Sequence, residues 1–285
     1  MSARYLKLSR SELESRAQQA YEIYRECRVC PHACGVDRTQ GQTGYCGQTD
    51  LLSVSSSVRH FGEEPPLVGT GGVGNLFVTA CNMRCDYCQN FQISQEWQNP
   101  TDAVSLKESY EVAAEQMLRL QEVGVHFIGW VSPSHVVPGL LKSLSIARER
   151  GLETPIIYNT NGYDALATLK LLDGVVDVYL PDLKYADSAT AKGISHIHEY
   201  PEFSRQAVLE MYRQVGPLSL REDGMAESGL LVRHLLLPEG LAGTWETLCF
   251  IALELSPSVP LSLMSQYYPV HKVTSTLDRE ITPEE

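Results

Sequence analysis

Apolar residues recur at helical spacing in the first part of the chain and in short runs after residue 74. Residues 11–26 predict a helix, in which a capping box formed by Ser11 and Glu14 precedes an apolar face. From residue 75 onward, short apolar runs alternate with segments of helical periodicity, the pattern of βα units around a parallel sheet. Six strands are predicted, approximately at 75–79, 125–131, 155–160, 175–180, 230–237 and 260–264.

Six βα units with right-handed crossovers can curl into a partial barrel or wind into an open sheet, and periodicity alone does not choose between the two. In either architecture, functional residues are expected at the carboxyl ends of the strands. We divide the chain into an N-terminal segment with a helix and a cysteine-rich part, residues 1–68, and an α/β core, residues 69–285. The last four residues, TPEE, have the sequence of a helix start, which predicts a core that continues beyond them.

Charge and composition narrow the class of protein. The 35 acidic residues outnumber the 23 basic ones and give a net charge of -12, which disfavours general binding to nucleic acid or to an anionic membrane. No apolar run approaches the roughly 20 residues that cross a bilayer, and the first ten residues do not form a signal-peptide core. We therefore expect a cytoplasmic protein without nucleic-acid or membrane partners, whose eight cysteines stay reduced and serve metal binding.

Three cysteines follow the first predicted strand in the segment TACNMRCDYCQN. This cysteine triplet consists of Cys81, Cys85 and Cys88. A zinc site needs a fourth protein ligand or an open water position, and the next downstream candidates, His126 and Cys249, are distant in sequence. A [4Fe-4S] cluster usually takes four thiolates, so three would leave one iron free to bind a small molecule. The residues by themselves leave both metals open.

A second cysteine group lies upstream in CRVCPHACGVDRTQGQTGYC, a segment with little room for regular structure. This cysteine quartet consists of Cys27, Cys30, Cys34 and Cys46. A CxxC pair with two further loop cysteines is what structural zinc requires, whereas the neighbouring triplet favours an auxiliary iron-sulfur cluster. We predict a metal site of one of these two kinds, and we expect His32 to be a loop residue and not a ligand.

The motif CxxxCxxC directly after the first strand of a βα series, with the aromatic Tyr87 before its last cysteine, resembles the radical S-adenosylmethionine (SAM) superfamily. Within it, residues 74–90 are similar to glycyl-radical activating enzymes such as pyruvate formate-lyase activating enzyme. The CxxCPxxCG pattern of residues 27–35 resembles a related, less defined subgroup. The resemblance covers about residues 27–269 and implies a partial (βα)6 barrel of the TIM type.

This resemblance also implies a [4Fe-4S] cluster on the triplet, SAM as cofactor, and reduced flavodoxin or ferredoxin as electron donor. In the family, reductive cleavage of SAM yields a 5'-deoxyadenosyl radical that abstracts a hydrogen atom, so no catalytic acid or base is assigned. The residues that the family motifs place near SAM are Tyr87, Ser132, Asn159, Thr160, Asp182, Lys184 and Arg233.

Individual roles follow from the matching segments. In PDLKYAD, Asp182 would help to hold a monovalent cation and Lys184 would reach the SAM carboxylate, with Asn159 and Thr160 nearby. The family's Gly-Gly-Glu motif, which receives the SAM amino group, is replaced here within GWVSPSH, so Ser132 or a backbone carbonyl would take its place.

Three functions remain open at this stage. The first is hydrogen abstraction from a glycine of a partner protein, which would make the chain an activating enzyme. The second is modification of another substrate by the same radical. The third is a non-catalytic metal-binding or electron-transfer protein that uses both cysteine groups.

Overall fold

The structure is a computed structural model that describes residues 2–97, 106–273 and 275–285. Its strands are β1 (Val54–His60), β2 (Val73–Val78), β3 (Phe127–Val131), β4 (Ile156–Thr160), β5 (Val178–Pro181), β6 (Ser219–Leu220), β7 (Ala226–Leu230), β8 (Val232–Leu235) and β9 (Leu261–Met264). Its α-helices are α1 (Arg10–Glu22), α2 (Pro65–Val68), α3 (Phe91–Ser94), α4 (Leu106–Glu122), α5 (Val137–Glu149), α6 (Leu166–Leu171), α7 (Ser188–Ser195), α8 (Tyr200–Val215) and α9 (Thr244–Phe250). None of these described helices has both the length and the apolar character needed to cross a membrane.

Parallel strands form the centre of the fold, in the order β2-β3-β4-β5-β7. After β7 the chain continues as β8, which pairs in parallel with β9. A bridge between Asp182 and Arg233 keeps β8 beside the end of β5. The six predicted strands thus occupy neighbouring parallel positions, with β7 and β8 sharing the fifth. The predicted α/β fold with a partial barrel is confirmed, and the barrel is not closed, because the outer edge of β2 pairs with the antiparallel β1.

Two details of the strand prediction are wrong. The predicted strand 230–237 is divided because β7 pairs with β5, whereas β8 pairs with β9. At the nearby Gly229, with φ of 130°, an added Cβ would lie 2.4 Å from the Leu218 backbone, so only glycine fits. The sequence pattern also gives no indication of β1, because VSSSVRH is rich in polar residues and is largely accessible at this edge of the sheet.

The N-terminal helix α1 packs against α5 and buries Leu13 and Ala17. Its N-cap is Ser9, whose hydroxyl accepts a hydrogen bond from the Glu12 backbone N–H at 3.1 Å. The cap predicted at Ser11 is therefore wrong by two positions, although the predicted helix itself is present.

Buried apolar residues form separate groups on the two faces of the parallel strands. Ile128 and Tyr179 belong to the large group between the strands and the outer helices. The alternate residues Phe127 and Val178 belong to a smaller group inside the barrel. A further group, which contains Tyr87, lies at the carboxyl ends of the strands. The carboxyl ends are thus covered by a layer of their own.

The gap between β2 and β9, which we call the seam, is filled by the connection from β1 to β2. Glu63 accepts a hydrogen bond from Asn75 of β2 at 2.7 Å. Glu64 accepts one from Arg233 of β8 at 2.7 Å and also contacts Ser262 of β9. Leu67 is fully buried in the group inside the barrel. Polar and apolar contacts therefore join the first and last barrel strands in place of a strand pair.

Candidate metal centre

The cysteine triplet lies in the loop that follows β2, residues 79–90, which we call the motif loop. All eight cysteines of the chain are free thiols. Cys85 is buried, whereas Cys81 and Cys88 are partly exposed. The loop leaves the strand through Ala80 at φ of 68° and turns back at Cys88, whose backbone N–H donates to the Cys85 carbonyl at 3.2 Å. These turns place the three thiols on one short loop at the carboxyl end of the first barrel strand.

Two asparagines fasten the motif loop to the end of β4. The Asn82 amide donates to the Tyr163 carbonyl at 2.6 Å, and the Asn161 amide donates to Asn82 Oδ1 at 2.8 Å. Asn161 Nδ2 also lies 3.4 Å from Cys81 Sγ, and the Met83 backbone N–H approaches the same sulfur at 3.4 Å. Sequence reasoning missed Asn161, although it stands two residues after the predicted Asn159 in YNTNG. Donors of this kind stabilise a thiolate and tune a metal bound to it.

Hydrogen bonds to backbone groups, one of them from the Gln95 side chain, hold the opposite side of the motif loop. The Asp86 N–H donates to the Ile194 carbonyl at 2.9 Å, which ties the loop to the end of α7. The Lys272 N–H donates to the Asp86 carbonyl at 2.9 Å, which adds a contact from the C-terminal segment. The Gln95 amide donates to the Cys85 carbonyl at 2.9 Å. Because three parts of the chain hold it, the position of the loop is set by the tertiary structure.

Burial of the sulfur atoms makes the thiolate forms of Cys81 and Cys85 unfavourable in the absence of a metal. It raises the pKa of Cys81 to about 12, with a further contribution from the Cys85 charge. Burial also raises the pKa of Cys85 to about 11, although the Lys184 ammonium and a hydrogen bond from Ser195 act in the opposite direction. Thiolates in such a place need a positive partner, which a bound metal supplies.

Asp182 and Lys184 follow β5 and form a short ion pair near the triplet. Lys184 Nζ lies 2.6 Å from Asp182 Oδ2. Burial disfavours the Lys184 ammonium, but the charge of the Asp182 carboxylate outweighs this effect and raises the pKa of Lys184. Tyr200 fixes the turn, since its hydroxyl accepts from the Lys184 N–H and donates to the Asn161 carbonyl. A permanently charged ammonium therefore lies within electrostatic reach of Cys85.

Ser132 and Asn159 lie side by side at the ends of β3 and β4. The Ser132 N–H donates to the Asn159 carbonyl at 2.8 Å, and Ser132 has a left-handed backbone with φ of 55°. Thr160 differs, because its buried hydroxyl donates to Asp164 at 2.5 Å and contacts Ser134 at 3.0 Å. The structure thus brings Ser132 and Asn159 to the rim, while the Thr160 side chain supports the turn after β4. The predicted contacts of these residues with SAM stay predictions.

Arg233 occupies the barrel interior at the seam. Its guanidinium donates to both oxygens of Glu64 at 2.7 Å and also binds Glu63. The side chains of all three residues are largely buried. Sequence reasoning missed the two glutamates, because their spacing from Arg233 in the chain, about 170 residues, carries no signal. Arg233 therefore acts as a structural cation here, and its predicted contact with SAM stays a prediction.

Tyr87 is buried in a cluster of tyrosines beneath the motif loop. Its hydroxyl accepts a hydrogen bond from Tyr185 at 3.0 Å, and its ring packs edge-on against Tyr267 at 5.8 Å. Burial raises the pKa of Tyr87, so the phenol stays neutral. The predicted cofactor contact of Tyr87 stays a prediction, and the observed contacts make it part of a buried tyrosine cluster.

The cysteine quartet is also brought together. The charges of Cys27, Cys34 and Cys46 all act on Cys30, whose pKa is raised chiefly by burial. The Tyr45 N–H donates to Cys34 Sγ at 3.3 Å. His32 is not directed at these thiols: its Nε2 lies 2.9 Å from the Asn82 carbonyl, in the motif loop.

The donor chemistry of the triplet fits a [4Fe-4S] cluster. Among the described residues, no three His, Cys, Asp or Glu side chains are grouped closely enough to hold one metal ion. A cubane binds its thiolates through separate iron atoms, so its ligands do not have to converge on one point. The three free thiols lie on one loop and can each bind a different iron atom. N–H donors at Cys81 Sγ and the nearby Lys184 ammonium would stabilise their thiolate forms.

Comparison with known proteins gives relatives without an assigned function. No family model matches the chain. The uncharacterized protein MJ0674 of Methanocaldococcus jannaschii is 27% identical over 279 residues, which cover 96% of this chain and 75% of that protein. The uncharacterized protein MJ0808 of the same organism is 28% identical over 172 residues, 55% of this chain. The chain spans 49% of this second relative.

Among solved structures, the fold is similar to that of methylornithine synthase (PylB), with a TM-score of 0.43 and 12% identity, over 94% of this chain and 69% of that chain. It is also similar to TYW1 with a lysine-pyruvate adduct bound, with a TM-score of 0.41 and 11% identity, over 64% of this chain and 61% of that chain.

Proposed function

We propose that the chain is a radical SAM enzyme. The observation that carries this proposal is the placement of three free thiols on one loop after the first barrel strand, within electrostatic reach of Lys184 at the end of β5. Cys81, Cys85 and Cys88 would hold a [4Fe-4S] cluster. Such a cluster, when bound, supplies the electron for reductive cleavage of SAM to methionine and a 5'-deoxyadenosyl radical.

The side chains of this chain would bind and orient SAM. The Lys184 ammonium, held by Asp182, is suited to the SAM carboxylate because a charge-assisted hydrogen bond is strong in a buried site. Ser132 and Asn159 lie at adjacent strand ends, where they can provide polar contacts to the amino-acid part of SAM. The tyrosine cluster around Tyr87 would exclude water from the reacting centre.

For the substrate, we propose a glycine of a partner protein, from which a hydrogen atom is abstracted, and for the electron donor a reduced flavodoxin or ferredoxin. The support for both is the resemblance of residues 74–90 to glycyl-radical activating enzymes. The separate N-terminal quartet supports the second candidate, a different substrate for the same radical, because it adds a feature that the resemblance to those enzymes leaves unexplained.

The decisive experiment measures SAM cleavage by protein purified without oxygen, reconstituted with iron and sulfide, and reduced. We expect 5'-deoxyadenosine and methionine in equal amounts, and none from Cys85→Ser. Cys249→Ser is the matched control, because Cys249 lies in α9, outside both cysteine groups, and should leave the reaction unchanged. A folded, reduced wild type that contains its cluster but never consumes SAM would refute the enzyme and favour the electron-transfer protein.

Lys184→Met tests the binding role separately. Loss of a charge-assisted hydrogen bond of roughly 1.5–3 kcal/mol should raise the KM for SAM about ten- to hundredfold, with the cluster retained. Lys192→Met, at an exposed lysine of α7, is the matched control. An unchanged KM in Lys184→Met would exclude Lys184 from SAM binding. Co-incubation with glycyl-radical proteins, followed by electron paramagnetic resonance, then distinguishes the two candidate substrates, because a glycyl radical signal is expected only if a partner protein is the substrate.

A further inference from the structure

The cysteine quartet lies in a loop that is folded by its own backbone. The Cys27 N–H donates to the Val36 carbonyl at 2.9 Å, and the Gly35 N–H donates back to the Cys27 carbonyl at 3.1 Å. Between them, the Ala33 N–H donates to the Cys30 carbonyl at 3.0 Å, which forms a tight turn within CxxCPxxCG. These bonds direct several cysteines toward one region without any disulfide among the eight thiols.

Gly44 shows how closely the second half of the loop approaches these sulfurs. A Cβ added at Gly44 would lie 2.6 Å from Cys34 Sγ, so only glycine fits at this position. The next residue, Tyr45, donates its N–H to the same sulfur at 3.3 Å. A backbone N–H directed at a thiol is the arrangement that stabilises metal-bound thiolates.

A buried cation lies beside the quartet. Arg38 is 1% exposed, donates to the His135 carbonyl at 2.7 Å, and lies over the Tyr24 ring at 4.0 Å. Its Nε donates to the Thr49 carbonyl at 2.9 Å, its guanidinium also contacts the Cys27 side chain, and no carboxylate pairs with it among the described residues. Burying a guanidinium beside neutral thiols is costly, whereas an iron-sulfur cluster with four thiolate ligands carries the net negative charge that compensates it. Arg38 therefore indicates an anionic metal-thiolate centre.

The quartet and the motif loop touch through residues next to their cysteines. Tyr45, which precedes Cys46, accepts a hydrogen bond at its carbonyl from Arg84 Nη2 at 2.9 Å. The Arg84 guanidinium also lies over the Tyr45 ring, 4.4 Å from its centre. His32 stacks on Tyr45 at 3.8 Å, and its Nε2 lies 2.9 Å from the Asn82 carbonyl. Residues that adjoin the two cysteine groups are thus in direct contact.

The Tyr45 hydroxyl lies between the two groups. It is buried and has no hydrogen-bond partner among the described residues. The Tyr45 ring stacks on His32 of the quartet at 3.8 Å and lies under the Arg84 guanidinium of the motif loop at 4.4 Å, so it contacts both cysteine loops. A buried hydroxyl without a partner is costly, and a sulfide of a cluster on either side could accept its hydrogen bond.

We propose that Cys27, Cys30, Cys34 and Cys46 bind a second iron-sulfur cluster, seated against the triplet through the His32–Tyr45 layer. Metal binding by the quartet follows from its own contacts and from Arg38. The choice of iron over zinc rests on the proposed function. A redox-active cluster on the triplet could exchange electrons with an iron-sulfur cluster beside it, whereas zinc is not redox-active.

Metal analysis of wild type, purified without oxygen and reconstituted, tests the proposal without any mutation. We expect about eight iron atoms per chain and little zinc, twice the content of one cubane. The triplet variant Cys81→Ser/Cys85→Ser/Cys88→Ser and the quartet variant Cys30→Ser/Cys34→Ser should each retain about four. In the reduced wild type, the electron paramagnetic resonance spectrum should be broader than the sum of the two variant spectra, because neighbouring clusters interact magnetically.

The outcomes separate this inference from the proposed function. One cubane per wild-type chain, or zinc in the quartet, would overturn the second cluster while leaving SAM cleavage intact. If the triplet variant retains iron but wild type does not cleave SAM, the second cluster is supported and the proposed enzymatic function is refuted. Arg38→Met should lower the metal content of the quartet and not of the triplet, and unchanged content in this variant would show that Arg38 does not stabilise an anionic centre in the quartet.

Discussion

Asp177 is a buried carboxylate that serves two backbone groups. It accepts hydrogen bonds from the Arg4 N–H at 2.9 Å and from the Ile156 N–H at 2.8 Å. These bonds fasten the N-terminal segment to the start of β4. The carboxylate is 1% exposed, and burial raises its pKa to about 6 despite both hydrogen bonds. A single side chain therefore couples the joining of two chain segments to pH.

Asp177→Asn tests this coupling through the pH dependence of stability. The folded pKa of Asp177 is about 6. The pKa of this carboxyl in the unfolded chain is near 3.9. The stability that Asp177 contributes is therefore fully present below about pH 4 and is lost as the pH rises through about 6. Between about pH 4 and pH 7, the free energy of unfolding of wild type should fall by about 3 kcal/mol more than that of the variant. Urea unfolding at several pH values measures this difference, and parallel profiles of the two proteins would contradict it.

At the scale of elements, the seam replaces the strand pair that would close the barrel. Arg233 of β8 binds Glu63 and Glu64, which come from the connection between β1 and β2. Glu63 in turn accepts from Asn75 of β2. A salt bridge of this kind adds little net stability over apolar packing, but removing one partner leaves an uncompensated buried charge. The seam is therefore sensitive to the loss of Arg233.

Arg233→Met should lower the free energy of unfolding by about 3–5 kcal/mol, because it leaves two carboxylates buried without a cation. Chemical denaturation at neutral pH measures the loss. Arg221→Met is the matched control, since the Arg221–Asp223 pair is more exposed and its loss should cost less than about 1 kcal/mol. Adding Glu63→Gln and Glu64→Gln to Arg233→Met should restore part of the stability. Equal losses in the two arginine variants would show that the seam is not held by this cluster.

For the molecule as a whole, the candidate site is an assembly of distant parts of the chain. The segment that bears the quartet and the segment after β9 both contact the motif loop at the carboxyl ends of the strands. His271 stacks on Phe91 at 4.5 Å, and the neighbouring Lys272 binds the Asp86 carbonyl. The segment after β9 therefore holds the motif loop down, and the stability of the loop depends on a contact nearly two hundred residues away.

His271→Ala should loosen the motif loop without unfolding the barrel. A stacked ring pair contributes about 0.5–1.5 kcal/mol, so amide hydrogens in residues 80–95 should exchange about two- to tenfold faster. Alanine keeps the strained φ of 70° at this position, so the effect isolates the ring. Mass spectrometry of peptic fragments reads the exchange. Trp245→Ala, at a side chain that is 74% exposed, is the control and should leave the exchange rates of residues 80–95 unchanged. Unchanged exchange rates in His271→Ala would show that the stack does not restrain the loop.

The sequence by itself determined the parallel strands and the loop that bears the triplet, because alternation of apolar and helical segments and the spacing of Cys81, Cys85 and Cys88 are local signals. It also placed Asp182 and Lys184 at a strand end, where the structure pairs them. Their predicted roles toward SAM stay predictions.

Only the tertiary structure decided which distant residues meet. The pairing of Arg233 with Glu63 and Glu64, and the contact of Tyr45 with Arg84, join segments whose separation along the chain leaves no periodic trace. The course of the chain also decided that β7 and β8 take different partners and that β1 covers the edge of β2. Local patterns record which face of an element is buried, whereas long-range charge pairing depends on where the folded elements come to lie.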